Sequence, residues 1–229
     1  MAGVEPTRES TCPDRPDPWP LRHLLLRTPR LELRPDEDAG LLELVEQARA
    51  GVHPPEDMPF AVPWTDAPPD EIGTRTLQYF WSQRAALRTE EWSVHLLVRH
   101  GGRVIGTQGV SATEFTVTRE IRTGSWLGMP HQRRGFGTEM RAAVLQWAFD
   151  DLGARAARSE AFSDNLASLT VSRRLGYVPD GTAAVARRGC PATQVRLLVT
   201  PETLVRPEWT VEVDGENDCR SLLGAFSPG

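Results

Sequence analysis

Apolar residues recur along this chain in two rhythms, and the changes of rhythm mark its elements. Leu31-Glu-Leu-Arg34 alternates at period two and predicts a strand. Acids follow at Asp36, Glu37 and Asp38, where a helix start favours them. Leu41, Leu44, Val45 and Ala48 then repeat at helical spacing, so an amphipathic helix should end near Gly51. A second helix is expected from Asp70 to about Leu87, with Ile72, Leu77, Phe80 and Trp81 for its buried face. Trp92 to Arg99 and Arg103 to Ala112 are strand-like and are joined by His100-Gly101-Gly102, a hairpin signal. Another strand spans about Glu120 to Leu127, and Met140, Val144, Trp147 and Ala148 mark a helix from about Gly135 to Leu152. Ala154 to Ala161 reads as a strand, Asn165 to Leu175 as a helix that Gly176 stops, and Ala183–Arg188 with Gln194–Val199 as a closing hairpin.

This order predicts one mixed α/β (α+β) domain over residues 21–204, with a mostly antiparallel front half. Residues 1–20, with five prolines, read as a flexible lead-in. Residues 205–229, where Pro, Gly and acids recur, read as a C-terminal tail. Residues 52–70 show no period but hold His53, Met58, Phe60 and Trp64 among six prolines. A stiff, apolar loop of that kind suits a binding wall.

Composition narrows the function. A net charge of −5 argues against a broad grip on nucleic acid or anionic membrane. All 26 basic residues are Arg, which fits a coding bias and carries no functional weight. Cys12, Cys190 and Cys219 lie far apart, and the five His are unclustered, so neither a disulfide framework nor a metal site is expected. Leu24-Leu25-Leu26 is too short to span a bilayer, and its flanks do not resemble a signal peptide, so the cytoplasm is the expected location.

Chemistry gathers at Gln132-Arg133-Arg134-Gly135-Phe136-Gly137-Thr138, between a predicted strand and a predicted helix. Two glycines permit close backbone approach, and a helix start offers unpaired N–H groups and a partial positive charge. A diphosphate would gain several charge-assisted hydrogen bonds there, with Arg133 and Arg134 adding charge. The same pattern also fits a plain strand-to-helix turn. It is not a Walker loop, and it lacks the third glycine of a dinucleotide fingerprint.

In context, the segment resembles the acyl-CoA loop Q/R-x-x-G-x-G/A of the GNAT acyltransferase superfamily. Asn165-Leu-Ala-Ser168 with Arg174-Leu-Gly176-Tyr177 is similar to a segment of the branch that acetylates ribosomal-protein N-termini. So is Arg27-Thr28-x-Arg30-Leu31-x-Leu33-Arg34-Pro35. Gly51-Val-His53, Met58-Pro-Phe60, Gly124-Ser-Trp-Leu-Gly128 and Gly137-Thr-Glu-Met-Arg-Ala-Ala-Val-Leu145 most resemble a mycobacterial member associated with succinyl-CoA. Agreement runs from about residue 27 to 200.

The resemblance implies a twisted sheet flanked by helices, in which the fourth strand (about 120–127) splays from the fifth (about 154–161) to admit pantetheine. It implies backbone contacts to the cofactor from Trp126, Leu127 and Met129, one N–H of which holds the oxyanion. Gln132 to Thr138 would hold the diphosphate, and Asn165 would bind pantetheine or simply cap its helix. The implied donor is acetyl-CoA or succinyl-CoA, without metal, and the acceptor a small-molecule or protein amine. Many members use a Tyr as acid where this chain has Ser172; Ser168 matches the serine of the ribosomal branch, or is an ordinary helix serine. Relatives often carry a Glu base where this chain has Arg122, leaving Glu120 and Glu160 as candidates. His53 and Trp64 are candidates for the acceptor pocket, and Arg122, His53 or Arg75 for a succinyl carboxylate. An acyl-CoA-binding module without turnover and a protein-interaction domain are the competing functions. The Pro-rich loop and tail are surfaces on which a homodimer could form.

Overall fold

The structure is a computed structural model that describes residues 17–225. Among them, nine strands form one sheet in the order β7-β8-β6-β5-β4-β3-β2-β1-β9. The strands are β1 (Leu25–Arg27), β2 (Glu32–Pro35), β3 (Glu91–His100), β4 (Arg103–Thr113), β5 (Glu120–Leu127), β6 (Ala156–Phe162), β7 (Val178–Arg187), β8 (Cys190–Val199) and β9 (Glu212–Asp214). Every pairing is antiparallel except β5 with β6. The helices are α1 (Asp38–Ala50), α2 (Ile72–Ala86), a short α3 (Phe115–Thr118), α4 (Phe136–Gln146), α5 (Leu166–Arg174) and a short α6 (Glu216–Cys219). None is long and apolar enough to cross a membrane.

Period-two alternation sends the two faces of the sheet to different partners. Val94, Leu96 and Val98 of β3 join the large core with Ala143, Val144 and Trp147 from α4 and the turn after it. Leu97 lies on the other face with Leu41 and Leu44 of α1 and Phe80 of α2. The expected amphipathic stripe of α1 is thus the buried one, and Glu37 caps that helix by accepting from the N–H groups of Ala39 and Gly40.

The ends of the chain depart from expectation. Leu24-Leu25-Leu26, read only as too short to span a bilayer, supplies a strand ahead of the one expected at 31: Leu25 and Leu26 lie in β1, and all three are buried. Trp19 packs on the core just ahead of it and Pro20 opens a short 3-10 turn, while residues 1–16 of the predicted lead-in lie outside the described residues. Residues 205–225 are not a tail. β9 pairs with β1, Cys219 and Leu223 are fully buried, and Trp92 Nε1 donates to the Leu223 carbonyl at 3.0 Å. The segment has no local period because its order comes from a sheet edge and a core pocket almost two hundred residues away in sequence.

Candidate functional site

β5 and β6 are paired only at Glu120↔Ala156, Ile121↔Ala157 and Arg122↔Arg158. Beyond Arg122 the ladder stops, although both strands continue, to Leu127 and to Phe162. Two side-chain bonds bridge the parting: Thr123 Oγ1 donates to the Arg158 carbonyl at 3.4 Å, and Ser159 Oγ donates to the Thr123 carbonyl at 3.3 Å. From there the two strands share no ladder bond, which leaves a gap in the sheet's pairing. The antiparallel ladder between β4 and β5 decides which amides face it. Gly128 N donates to the Ile105 carbonyl at 3.0 Å, so alternation turns the backbone groups of Trp126 and Gly124 toward β4. Those of Ser125 and Leu127 point the other way, into the gap.

The start of α4 closes one end of this gap. Arg133 (φ 59°) and Gly135 (φ 84°) are both left-handed, a geometry that is easy for Gly and strained for Arg. The chain therefore curls, and the N–H groups of Gly135, Phe136 and Gly137 have no acceptor among the described residues. A β-carbon on Gly137 would make only ordinary contact with Val171 at 3.7 Å, so packing within the protein does not demand glycine there. Glu139, in the first turn of α4, would repel an anion at this end. Its charge is matched instead: it accepts from Thr28 Oγ1 at 2.6 Å, Arg30 N at 3.0 Å and Arg30 Nε at 2.7 Å. Arg30 also donates to the Arg134 carbonyl at 3.1 Å and lies 4.7 Å over the Phe136 ring.

A curled, exposed loop of free amides beside a parted parallel pair suits an extended ligand carrying a diphosphate. A family model described as acetyltransferase (GNAT) domain matches residues 24–178. The chain belongs to the GNAT acetyltransferase family. Solved structures share the fold. RimJ of Mycobacterium smegmatis, in complex with CoA-disulfide, superposes with a TM-score of 0.66 at 15% identity, over 88% of this chain and 95% of that one. A GCN5-related N-acetyltransferase from Brucella melitensis gives 0.63 at 20% identity, over 82% and 83%. RimL, the ribosomal L7/L12 alpha-N-protein acetyltransferase in complex with coenzyme A, gives 0.59 at 17%, over 76% and 95%.

Within this GNAT domain the expected site residues take distinct places. Of the three backbone positions expected to meet the cofactor, Leu127 alone turns its N–H into the gap. Trp126 faces β4, and Met129 N–H is donated to the Gly51 carbonyl at 3.0 Å. The backbone of Ser125, not anticipated, faces the gap as well. The Gln132 side chain turns away from the cradle: Nε2 donates to the carbonyls of Val52 at 2.7 Å and Leu127 at 2.9 Å, fastening the loop after α1 to the end of β5. Asn165 caps α5 by accepting from Ser168 N at 3.1 Å. Ser168 is partly buried, and its hydroxyl has no partner among the described residues. Arg133, Arg134 and Thr138 sit at the cradle as expected, with Phe136 buried as its anchor.

Glu120 is not a free base. It lies at the closed end of the gap and accepts from Arg158 Nε at 2.8 Å, while Arg158 also pairs with Asp180. Glu160, exposed and in register with Arg196 of β8, shares by alternation the sheet face of Arg122 and Arg158. Arg122 is exposed at the last paired position of β5. Arg75, by contrast, is spent on Glu71 at 2.5 Å.

The Pro-rich loop stacks its aromatic rings in a row that reaches β5. Ring centroids step from His53 to Phe60 (5.7 Å), Trp64 (5.3 Å) and Trp126 (5.4 Å), linking it to the α1/α2 face of β5. Both nitrogens of His53 are engaged, with the Pro54 carbonyl at 2.7 Å and Thr65 Oγ1 at 2.8 Å, so His53 shapes the wall rather than presenting a free ring. Arg188, at the β7–β8 turn, clamps the same loop through Asp66 (Nε to Oδ2, 2.8 Å) and the Pro55 carbonyl at 3.2 Å. No local sequence signal joins residues 66 and 188. Nearby, His95 is wedged between Tyr79 and Phe80, and its burial pushes its pKa down to about 4, so it is neutral at pH 7.

Proposed function

We infer that this protein is an acyl-CoA-dependent N-acyltransferase, with acetyl-CoA or succinyl-CoA as donor and a primary amine as acceptor. One observation carries the reading: β5 and β6 part after Arg122, beside a helix start whose amides are free. Free N–H groups and a helix dipole favour the diphosphate, with Arg133 and Arg134 alongside. The parted strands offer Ser125 and Leu127 backbone groups to an extended arm, as an added strand would receive them. When bound, the thioester supplies an activated acyl carbon. The Leu127 N–H is the donor assigned to the oxyanion.

The carboxylates favour an undemanding acceptor. Glu120 is consumed by Arg158, and Glu160 is the remaining candidate base. An α-amine, with a pKa of roughly 7.7–8.0, is partly neutral at pH 7 and needs less help than a lysine near 10.4. The exposed Arg122 is the candidate partner for a succinyl carboxylate, and Trp64 the candidate acceptor wall. The engaged Glu120 and the missing Tyr at position 172 also favour a second reading, an acyl-CoA-binding module with little turnover.

The test has two parts. Saturating acetyl-CoA or succinyl-CoA should stabilise the protein by about 2–4 kcal/mol in a thermal melt. Free thiol release is then followed with peptide α-amines, lysine peptides and small amines. Binding without turnover on any acceptor supports the module; no shift with either thioester refutes both readings.

A further inference from the structure

Arg141 is 5% exposed, on α4, one turn beyond the cradle. No carboxylate lies within ion-pair distance of it among the described residues. Its partners are hydroxyls: Nη1 donates to Ser172 Oγ at 2.9 Å and Nη2 to Ser125 Oγ at 3.2 Å. Its Nε is buried with no acceptor among the described residues. Burial pushes its pKa down, and the titratable group facing it is Tyr177, whose hydroxyl is held 3.1 Å from Thr123 Oγ1. Ser172 itself donates back to the Ser168 carbonyl at 3.0 Å, so its hydroxyl is oriented as an acceptor toward the guanidinium.

A buried cation with only hydroxyl partners is costly, and such charges in folded proteins are paired. A bound anion would complete this half-satisfied charge. The place is specific: Ser125 is on β5 beyond the parting, Ser172 is on the helix that follows β6, and Arg141 spans between them. Nothing in the free protein's hydrogen bonding requires a charge there. A serine at 172 and an apolar residue at 141 would pack without one.

We propose that Arg141, positioned by Ser172 and Ser125, stabilises the thiolate that leaves when an amine attacks the bound acyl-CoA thioester. The inference rests on the transferase reading above. The amine nitrogen forms its bond to the thioester carbon, the C–S bond breaks, and its electron pair stays on sulfur. The nitrogen's proton passes to solvent, and the sulfur anion remains beside the guanidinium without taking a proton from it, since Arg does not deprotonate in this range. This supplies by charge what a neutral acid would supply by protonation.

Coenzyme A itself is the probe. The thiolate's ultraviolet absorbance, titrated against pH with the full chain in excess, reports the ionisation of the bound thiol. Free thiols titrate near ~8.5, and the bound one should fall by about one unit or more. R141M should return it to the free value and lower kcat about 10²–10³-fold for acetyl-CoA and succinyl-CoA alike. R141K, which keeps the charge, should retain most of the shift. R141M should also melt no lower than wild type without ligand, because an unpaired buried charge has been removed. A wild-type complex whose thiol titrates as free coenzyme A overturns the proposal without any variant. So does a loss in R141M confined to succinyl-CoA, which would place an acyl carboxylate there. Failure to bind coenzyme A at all would instead refute the transferase reading.

Discussion

Replacing Glu139 by Ala tests whether the cradle is built by the ion pair behind it. The carboxylate is 7% exposed and accepts from Thr28 Oγ1, from the Arg30 amide and, twice, from the Arg30 guanidinium at 2.7 and 2.5 Å. Removing it leaves the hydroxyl only the Leu31 carbonyl at 3.3 Å and the amide only Thr28 Oγ1 at 3.4 Å, both poorer acceptors, at about 1–2 kcal/mol each. The guanidinium is 45% exposed and can rehydrate, so its share is small. A net loss of about 3 kcal/mol is expected, and at about 2–4 °C per kcal/mol for a chain of this size the melting temperature should fall by roughly 6–12 °C. Arg30 would also lose its hold on the Arg134 carbonyl and the Phe136 ring, so coenzyme A affinity should drop about tenfold, or about 1.4 kcal/mol. Differential scanning calorimetry gives the first number and isothermal titration the second. Glu139→Gln keeps an acceptor and should show about half of each effect. Arg30→Ala combined with Glu139→Ala should cost little more than Glu139→Ala alone. Should Glu139→Ala melt within about 2 °C of wild type and bind coenzyme A normally, the ion pair does not build the cradle.

Other outcomes follow from the same structure. Asp36 is buried beside Arg84, and desolvation raises its pKa to about 6 in spite of that cation. The folded form therefore holds a proton between about pH 4 and 6 that the unfolded chain has released, so this group's contribution to stability falls as pH rises through that window. Denaturant melts should show wild type gaining about 2 kcal/mol relative to Asp36→Asn between pH 7 and pH 4, and no relative change contradicts the burial. Arg188→Ala breaks a surface clamp and should cost less than about 1 kcal/mol in stability, yet raise KM for the amine several-fold by loosening the Pro-rich wall. An unchanged KM would separate that wall from the acceptor site. Leu223→Ala should cost about 2–5 kcal/mol, because Leu223 is fully buried; a melting temperature equal to wild type would restore the tail reading.

The elements with strong periods, α1 and the β3–β4 hairpin, were legible within two or three residues, because each pattern depends on neighbours a few positions apart. The helix start at 136 after a glycine-bearing loop was legible for the same reason: a strand end, two glycines and a helix start are all local. What a side chain meets across the sheet was not. Glu120 looked available until register set Arg158 beside it, and Met129 looked like a cofactor contact until the loop after α1 took its amide. Arg30 stood in a quoted motif, but only packing revealed it as the counter-charge of Glu139. Arg141 reads as an unremarkable helix residue, and residues 205–225 as an acidic, Pro- and Gly-bearing end. Local spacing determined the order of elements and the glycine-bearing helix start, and the resemblance of its motifs pointed to the family. The tertiary structure decided which carboxylate is engaged, where the parallel pair parts and which buried cation meets hydroxyls instead of a carboxylate. Those depend on contacts between residues tens to nearly two hundred positions apart, which no local pattern encodes.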